Sequence, residues 1–165
     1  MKSHLLALVV LMLTPVPIQA GEAQNIEMMK AMFEAINNRE LNMLEHYVSR
    51  DVLRHSAATP GVQVTNLEEF RAFLEADIAA VPDSVQKIDV IFGNDEYVAV
   101  RARYMGTQTG PMGPYPPSGN YMELPYIGIA RFSDGKIVEL WAEWDNLSAL
   151  TQLKHFSPPV NKTIE

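Results

Sequence analysis

The sequence predicts an α+β fold in which N-terminal helices pack against a curved antiparallel sheet. Apolar residues recur at helical spacing in the first half of the chain, as at Ile26, Met29 and Phe33, and this period is typical of an amphipathic helix. The second half changes to long β-rich runs. Two of these runs flank Asp134-Gly135, the strongest short-range signal for a β-hairpin. Helices followed by strands indicate the α+β class.

The predicted elements form one domain, residues 21–165. Asn66 is a good N-cap residue with Glu69 in the capping-box position, so the third helix begins after it, and Pro82 lies just beyond its end. A curved sheet over packed helices leaves a pocket between the layers, where ligand sites are common. The predicted helices are 22–38, 41–48, 67–80 and 147–155, and the predicted strands are 51–55, 85–92, 97–104, 121–132 and 137–145.

Residues 1–20 have the features of a secretory signal peptide. Lys2 supplies a positive charge, residues 5–13 form an unbroken apolar run, and Ile18-Gln19-Ala20 before Gly21 is a suitable cleavage site. The apolar run is too short to span a membrane, which needs about 20 residues. We therefore expect a secreted or bacterial periplasmic protein that is free of the membrane after cleavage.

Composition excludes several classes of function. The chain of 165 residues has no cysteine and a formal net charge of -7 at pH 7. The lack of cysteine excludes disulfides, thiolate metal sites and a thiol nucleophile. The negative charge argues against nucleic acid as a partner, since phosphate binding needs a basic surface. No histidine spacing indicates a metal site, so we expect none.

The strand after the Asp134-Gly135 turn carries different side chains on its two faces, because side chains alternate with a period of two. A two-residue turn would place Gly128 opposite Trp141. We expect the acidic face to line an interior cavity and the apolar face to lie outside, although a one-residue bulge would exchange them. The acidic face carries Glu139, Trp141, Glu143 and Asp145, and the apolar stripe carries Val138, Leu140, Ala142 and Trp144.

Several segments of the C-terminal half occur together at a characteristic spacing: 106–110, 113–119, 131–139, and then Trp141, Asp145, Leu147, Leu150, Gln152 and Leu153. Together they resemble the SnoaL-like polyketide cyclases, or ester cyclases, of the nuclear-transport-factor-like superfamily, over residues 97–154. The resemblance implies a cone-shaped α+β barrel with an interior cavity. It also implies an intramolecular aldol condensation in which a pocket carboxylate is the acid/base, without a metal or organic cofactor.

The sequence departs from the family pattern at two positions. The family usually has a histidine in the segment that here reads Gly-Thr-Gln-Thr-Gly, where this chain has Gln108, and glutamine cannot exchange a proton. The position after Glu139, often polar in the family, is Leu140. A secreted protein is also an unusual place for a step of polyketide assembly. The resemblance therefore leaves the reaction open.

Three residues are the candidate catalytic groups. The resemblance places Glu139 at the acid/base position, and burial beside Trp141 would raise the pKa of its carboxyl group toward neutrality. His55 stands where many family members have a histidine facing the cavity, and histidine is a residue type suited to proton transfer at physiological pH, although it could also be a structural residue. Asp145 shares the face of Glu139, but it also suits the N-cap of the closing helix.

Five residues are candidate substrate-binding groups. Trp141 could stack on a flat substrate, or it could simply pack in the core. Gln108 could orient a carbonyl oxygen, and Tyr126 faces the acidic strand. Met112 and Tyr115 belong to the 110–119 loop, which could cap the cavity mouth, or form an edge loop or a dimer contact.

These observations leave three functions open. The first is cofactor-independent acid/base catalysis, of the cyclase, isomerase or hydrolase type, on a small apolar carbonyl compound or ester. The second is a non-catalytic periplasmic protein that binds a small hydrophobic molecule. The third is a structural homodimer with a vestigial cavity. In each case we expect a homodimer through the apolar stripe of residues 138–144, since the helices can cover only one face of the sheet.

The signal-peptide hypothesis predicts that the exported protein begins at Gly21, because signal peptidase cleaves after small residues such as Ala20. N-terminal sequencing of the exported protein should therefore read Gly-Glu-Ala-Gln. An intact Met1 on exported material would contradict the hypothesis.

Overall fold

The computed structural model describes residues 21–157, so the predicted signal peptide and residues 158–165 lie outside the described residues. No helix within 21–157 is both long and apolar enough to cross a membrane. The helices are α1 (Glu22–Asn37), α2 (Leu44–Tyr47), α3 (Leu67–Ala80) and α4 (Asn146–Gln152), with a 3₁₀ turn at Leu41–Met43. The strands are β1 (Val48–His55), β2 (Val85–Gly93), β3 (Tyr97–Thr107), β4 (Tyr121–Ser133) and β5 (Lys136–Trp144).

The five strands form one curved, unclosed sheet in the order β1-β5-β4-β3-β2. Strands β2 to β5 are antiparallel neighbours, as predicted, whereas β1 pairs in parallel with β5. The N-terminal helices pack on the inner face of this sheet, where α1 contacts β2 and β3 and α3 contacts β1. The structure confirms the predicted α+β cone fold.

Helix α3 begins where the sequence predicts. The side chain of Asn66 accepts a hydrogen bond from the main-chain N–H of Glu69 at 2.9 Å, and the Glu69 carboxylate accepts one from the N–H of Thr65 at 2.7 Å. These bonds satisfy donors that a helix N-terminus leaves free. The helix buries Leu67, Phe70 and Leu74 against the sheet.

The core lies between the helices and the inner face of the sheet. Its largest cluster joins α1, α3 and all five strands, and a smaller cluster joins α4 to β4. Fully buried side chains from the sheet include Val52, Val98, Ala102 and Ile137. Residues of both clusters line one cavity between the helices and the sheet.

A β-bulge follows the final hairpin turn. Asp134 and Gly135 have φ angles of 51° and 70°, as a type I′ turn requires, and Phe132 pairs with Ile137 as predicted. The next pair is Arg131 with Glu139, so Val138 is an extra residue on β5. This one-residue shift moves every later side chain of β5 to the opposite face.

The bulge makes the predicted face assignment wrong. Gly128 pairs with Ala142, not with Trp141. Leu140, only 7% exposed, and the side chains of Ala142 and Trp144 lie on the inner face. The predicted dimer stripe is therefore not on the outer face of the sheet.

The outer face of the sheet carries a different set of exposed apolar residues, here called the outer apolar patch: Val90, Phe92, Ile127 and Ile129, which are 50%, 63%, 51% and 37% exposed. The strand pairing places Phe92, Ala99, Ile129, Trp141 and His55 in one row across all five strands. The helices leave this face uncovered, because they pack on the other one.

Candidate functional site

A cavity of about 930 Å³ lies between the inner face of the sheet, α3, α4 and two loops. Residues 58–64 and 111–115 supply the loops. Most of the lining is apolar, and the lining side chains include Met29, Phe33, Phe70, Phe73, Leu124, Leu140 and Trp144. A cavity of this size and character suits a small, largely apolar molecule.

Asp77 is the buried carboxylate among the residues that line this cavity, whereas Glu69, the other lining carboxylate, caps α3. Asp77 lies on α3, and the hydroxyl of Tyr104 on β3 donates to its carboxylate, with both oxygens at 3.1 Å. Burial raises the pKa of Asp77 to about 6, although the bond from Tyr104 and the charges of Arg39 and Arg54 act in the opposite direction. A carboxyl group with this pKa can both accept and release a proton near neutral pH.

The raised pKa of Asp77 also links its protonation to stability. Between the ordinary pKa of 3.8 and the folded value of about 6, the folded chain holds a proton that the unfolded chain releases. Stability contributed by protonated Asp77 is therefore fully present below pH 3.8 and is lost as the pH rises through about 6. Above about pH 6, the buried Asp77 carboxylate is charged and lowers the stability of the fold. Groups with pKa values shifted in this way are common at functional sites.

Two tyrosines face the cavity from neighbouring strands. Tyr104 pairs with Leu124, so Tyr126, two residues further along β4, lies diagonally from it on the same face. The Tyr126 hydroxyl donates to the Oε1 atom of Gln86 on β2. Burial raises the pKa of both tyrosines, so both hydroxyls are neutral donors. The structure places Tyr126 on the cavity wall, where the sequence predicted it.

Residues 111–115 of the 110–119 loop form part of the cavity wall. Its main chain is fixed to the end of α3, since the N–H groups of Thr109 and Gly110 both donate to the carbonyl of Ala80, at 3.0 and 2.9 Å. A Cβ atom on Gly110 would lie 2.1 Å from the carbonyl oxygen of Ala79, so only glycine fits. Beyond this anchor, Met112 and Tyr115 line the cavity as predicted.

Gln108 does not line the cavity, so its predicted contact with substrate is wrong. Its side chain is fully buried behind the loop, and its Nε2 donates to the carbonyls of Gly110 and Pro116 at 3.1 and 3.0 Å. Its Oε1 lies 2.8 Å from Nε2 of His155, and the His155 ring packs against the Tyr115 ring at a tilt of 32°. Gln108 therefore positions the loop.

Glu139 and His55 lie on the outer face of the sheet, which contradicts their predicted place in the cavity. They are within reach of each other, as expected, with His55 Nε2 2.8 Å from Glu139 Oε1. Arg131 donates to Glu139 Oε2 at 2.9 Å. The bonds from His55 and Arg131 hold the pKa of Glu139 below its ordinary value, opposite to the predicted rise. The bulge at Val138 is the cause, since it turns Glu139 away from the helices.

The structure also corrects the predictions for Trp141 and Asp145. The indole of Trp141 stacks on the His55 ring of the outer face, with centroids 5.3 Å apart. The ring therefore faces away from the helices, although Trp141 is also among the residues that line the cavity, and its contact with a substrate stays a prediction. Asp145 caps α4 by accepting a bond from the N–H of Ser148 at 3.0 Å, which was the alternative role. Its side chain is exposed and has no place in the cavity.

Two charged residues of the cavity, Asp77 and Arg54, were not among the predicted site residues, although the sequence contains a signal for each. Arg54 follows Val52 by two residues on β1, so the strand period places a cation on the inward face. Asp77 follows Phe73 and Leu74 by four and three residues on α3, which places a carboxylate on the apolar face of that helix. A charge that interrupts an apolar face was the signal in both cases.

The described residues offer no built metal site. Within 21–157, no three histidine or carboxylate side chains are grouped so that they could hold a metal ion. Two carboxylates, Asp77 and Glu69, are among the lining residues of the cavity. Asp77 has tyrosine and amide groups nearby.

An open, curved sheet over helices, with a largely apolar cavity that contains one proton-exchanging carboxylate, defines the class of small-molecule-binding α+β cone proteins. Within that class, the chain belongs to the SnoaL-like polyketide cyclase family, whose model matches residues 26–153. The family binds small ligands or substrates in this fold.

Solved structures show the same fold. IdmH from Streptomyces antibioticus, a proposed polyketide cyclase, is 26% identical, with a TM-score of 0.69 over 79% of this chain and 99% of its own. AclR from Streptomyces galilaeus, a proposed hydroxylase, is 24% identical, with a TM-score of 0.72 over 86% and 87%. A proposed SnoaL-like cyclase from Jannaschia sp. CCS1 is 21% identical, with a TM-score of 0.74 over 88% and 99%. No curated protein matches the chain.

Proposed function

We propose that this protein is an enzyme that transfers a proton on a small, largely apolar carbonyl compound or ester bound in the cavity, without a cofactor. The observation that carries the proposal is the Asp77 carboxyl group, whose pKa near 6 suits a general acid/base at neutral pH. Family membership supports the choice of a small-molecule substrate. The reaction would be of the cyclase, isomerase or hydrolase type.

The groups around Asp77 suggest how the reaction proceeds. The ionised carboxylate of Asp77 takes a proton from the carbon next to the carbonyl group, and its bond from Tyr104 holds it in place. The hydroxyl of Tyr126, which now donates to Gln86, can turn to the substrate oxygen as negative charge develops there. Asp77 then returns the proton at a second position, so that it leaves the cycle unchanged.

One observation favours a binding protein as the second candidate. The cavity-facing positions of β5 are Leu140, Ala142 and Trp144, none of which can transfer a proton. The last strand of the sheet therefore supplies no acid or base to the cavity. A periplasmic carrier of a hydrophobic molecule would use the same cavity without turnover.

The enzyme proposal predicts that Asp77→Asn abolishes proton transfer but preserves binding. Asparagine still accepts the bond from Tyr104 but cannot take a proton, so we expect enzyme-dependent exchange to fall by about 10²–10⁴-fold. The measurement is hydrogen–deuterium exchange at the carbons beside the carbonyl of 2-tetralone, a bicyclic apolar ketone, followed by NMR in D2O. Quenching of tryptophan fluorescence measures binding of the same ketone.

Glu139→Gln is the matched comparison, because it neutralises a carboxylate on the other face of the sheet. It should leave exchange unchanged. If Glu139→Gln lowers hydrogen–deuterium exchange and Asp77→Asn does not, Asp77 is not the acid/base. Binding of 2-tetralone without exchange above the buffer rate would contradict the enzyme and support the binding protein.

We also propose that the protein is secreted into a bacterial periplasm or beyond. The support is the signal-like composition of residues 1–20, and helix α1 begins at Glu22, directly after the predicted cleavage site. The N-terminal sequence of exported protein tests this proposal, as described above.

We propose further that two copies associate through the outer apolar patch. Phe92, Ile127 and Ile129 are exposed there, and several neighbouring charges on the outer face already pair within the chain. Arg103 pairs with Asp89 and Glu123, and Arg131 pairs with Glu139. Because the bordering charges are neutralised in this way, a second copy can cover the patch without burying an unpaired charge.

The dimer proposal predicts that Ile127→Glu produces a monomer, since two buried carboxylates would face each other across the symmetric interface. Leu147→Glu is the control, because Leu147 on α4 is 53% exposed and Ile127 is 51% exposed. Light scattering at micromolar concentration should show a dimer for the wild type and the control. A monomeric wild type would contradict the proposal.

A further inference from the structure

Arg54 is a cation held inside the apolar cavity. It lies on the inner face of β1, opposite Leu140, and is 9% exposed. Its Cζ atom lies 4.2 Å from the centre of the Phe73 ring and 6.0 Å from that of Trp144. Its main-chain N–H donates to the carbonyl of Val64 at 2.9 Å, which ties the strand to the cavity loop. The fold thus holds the charge at a fixed point of the wall.

Most of the donors on this guanidinium have no protein acceptor. Arginine has five N–H donors, and among residues 21–157 the Arg54 side chain makes one hydrogen bond, from Nη1 to Thr59 Oγ1 at 3.1 Å. No carboxylate in the described part of the chain forms an ion pair with it within 4.0 Å. A buried cation is costly to fold unless something pairs with it.

Glu143 and Asp77, the two carboxylates whose charges act on Arg54, are held by other donors. Glu143 accepts from the N–H groups of Ala57 and Ala58 at 2.8 and 3.1 Å, and Asp77 accepts from a tyrosine hydroxyl. Burial lowers the pKa of Arg54, and the charges of Glu143 and Asp77 offset this only from a distance. The site therefore has room for an anion that the protein does not provide.

We propose that the molecule bound in this cavity carries a carboxylate, which Arg54 binds through its free N–H groups, attached to an aromatic or polycyclic body. This inference rests on the proposed function, because it takes the cavity to be the ligand site. A planar carboxylate matches the fork of a guanidinium through two parallel hydrogen bonds. The apolar body lies against the ring of Phe73 and the rest of the wall.

The anchoring point also determines which part of the substrate reacts. Phe73, under the guanidinium, and Asp77 are four residues apart on α3, so they are neighbours on one helix face. A carboxylate held at Arg54 therefore places the next few atoms of the ligand one helical turn along, beside Asp77. The substrate class is an apolar acid whose reacting carbonyl lies close to its carboxylate.

Paired ligands test this inference. Isothermal titration calorimetry at pH 7 compares 2-naphthoate with 2-naphthamide, which has the same ring system and no charge. Wild-type protein should bind the carboxylate about 10- to 100-fold more tightly, the range for a charge-assisted bond. Arg54→Met keeps an unbranched apolar stem and should remove this preference, because it weakens binding of the carboxylate much more than binding of the neutral amide.

Arg50→Met is the control, because Arg50 is an exposed arginine on the same strand, and it should keep the preference. Thermal unfolding confirms that each variant is folded. If the wild type binds both compounds equally, or if Arg54→Met retains the preference, the carboxylate inference is overturned while cavity binding stands. If the wild type binds neither compound, the inference fails together with the proposed use of the cavity.

Discussion

The extra residue at Val138 determines which side chains of the last strand face the helices. The hairpin turn fixes the pair Phe132–Ile137, and one position later the bulge shifts the pairing so that Arg131 meets Glu139. From that point Leu140 and Ala142 face the cavity. Because side chains alternate between the two faces of a strand, a single inserted residue moves every following side chain to the opposite face.

The chemistry of the cavity follows from this exchange. With Glu139 turned outward to Arg131 and His55, the last strand contributes only apolar wall. The polar groups come from elsewhere: Asp77 from α3, a tyrosine from each of β3 and β4, and Arg54 from β1. The apolar wall affects both charged groups, Asp77 and Arg54. It raises the pKa of Asp77 toward neutrality and leaves the guanidinium of Arg54 without a full set of partners.

Local signals predicted the elements of the fold well. The Asn66 cap, the Asp134-Gly135 turn and the helical spacing from Ile26 onward each depend on residues within one element, and each appears in the structure as expected. The parallel pairing of β1 with β5 and the bulge at Val138 depend on contacts between elements. Such contacts leave no periodic trace in the sequence.

The candidate site was predicted less well for the same reason. Tyr126, Met112 and Tyr115 lie at the cavity as predicted, because they belong to elements whose faces the bulge does not change. The predictions for Glu139 and Trp141 gave the wrong face of the sheet, because both residues directly follow the bulge at Val138. Gln108 was assigned to the substrate from its place in a motif, yet its hydrogen bonds show that it supports a loop.

The central claim is that Asp77, not Glu139, is the proton-exchanging carboxylate of this protein. The most direct test is an NMR titration of the side-chain carboxyl carbons of both residues between about pH 3 and pH 9. We predict a midpoint of about 6 for Asp77 and a midpoint below the ordinary 4.5 for Glu139. A midpoint near neutrality for Glu139, with Asp77 at its ordinary 3.8, would contradict the account.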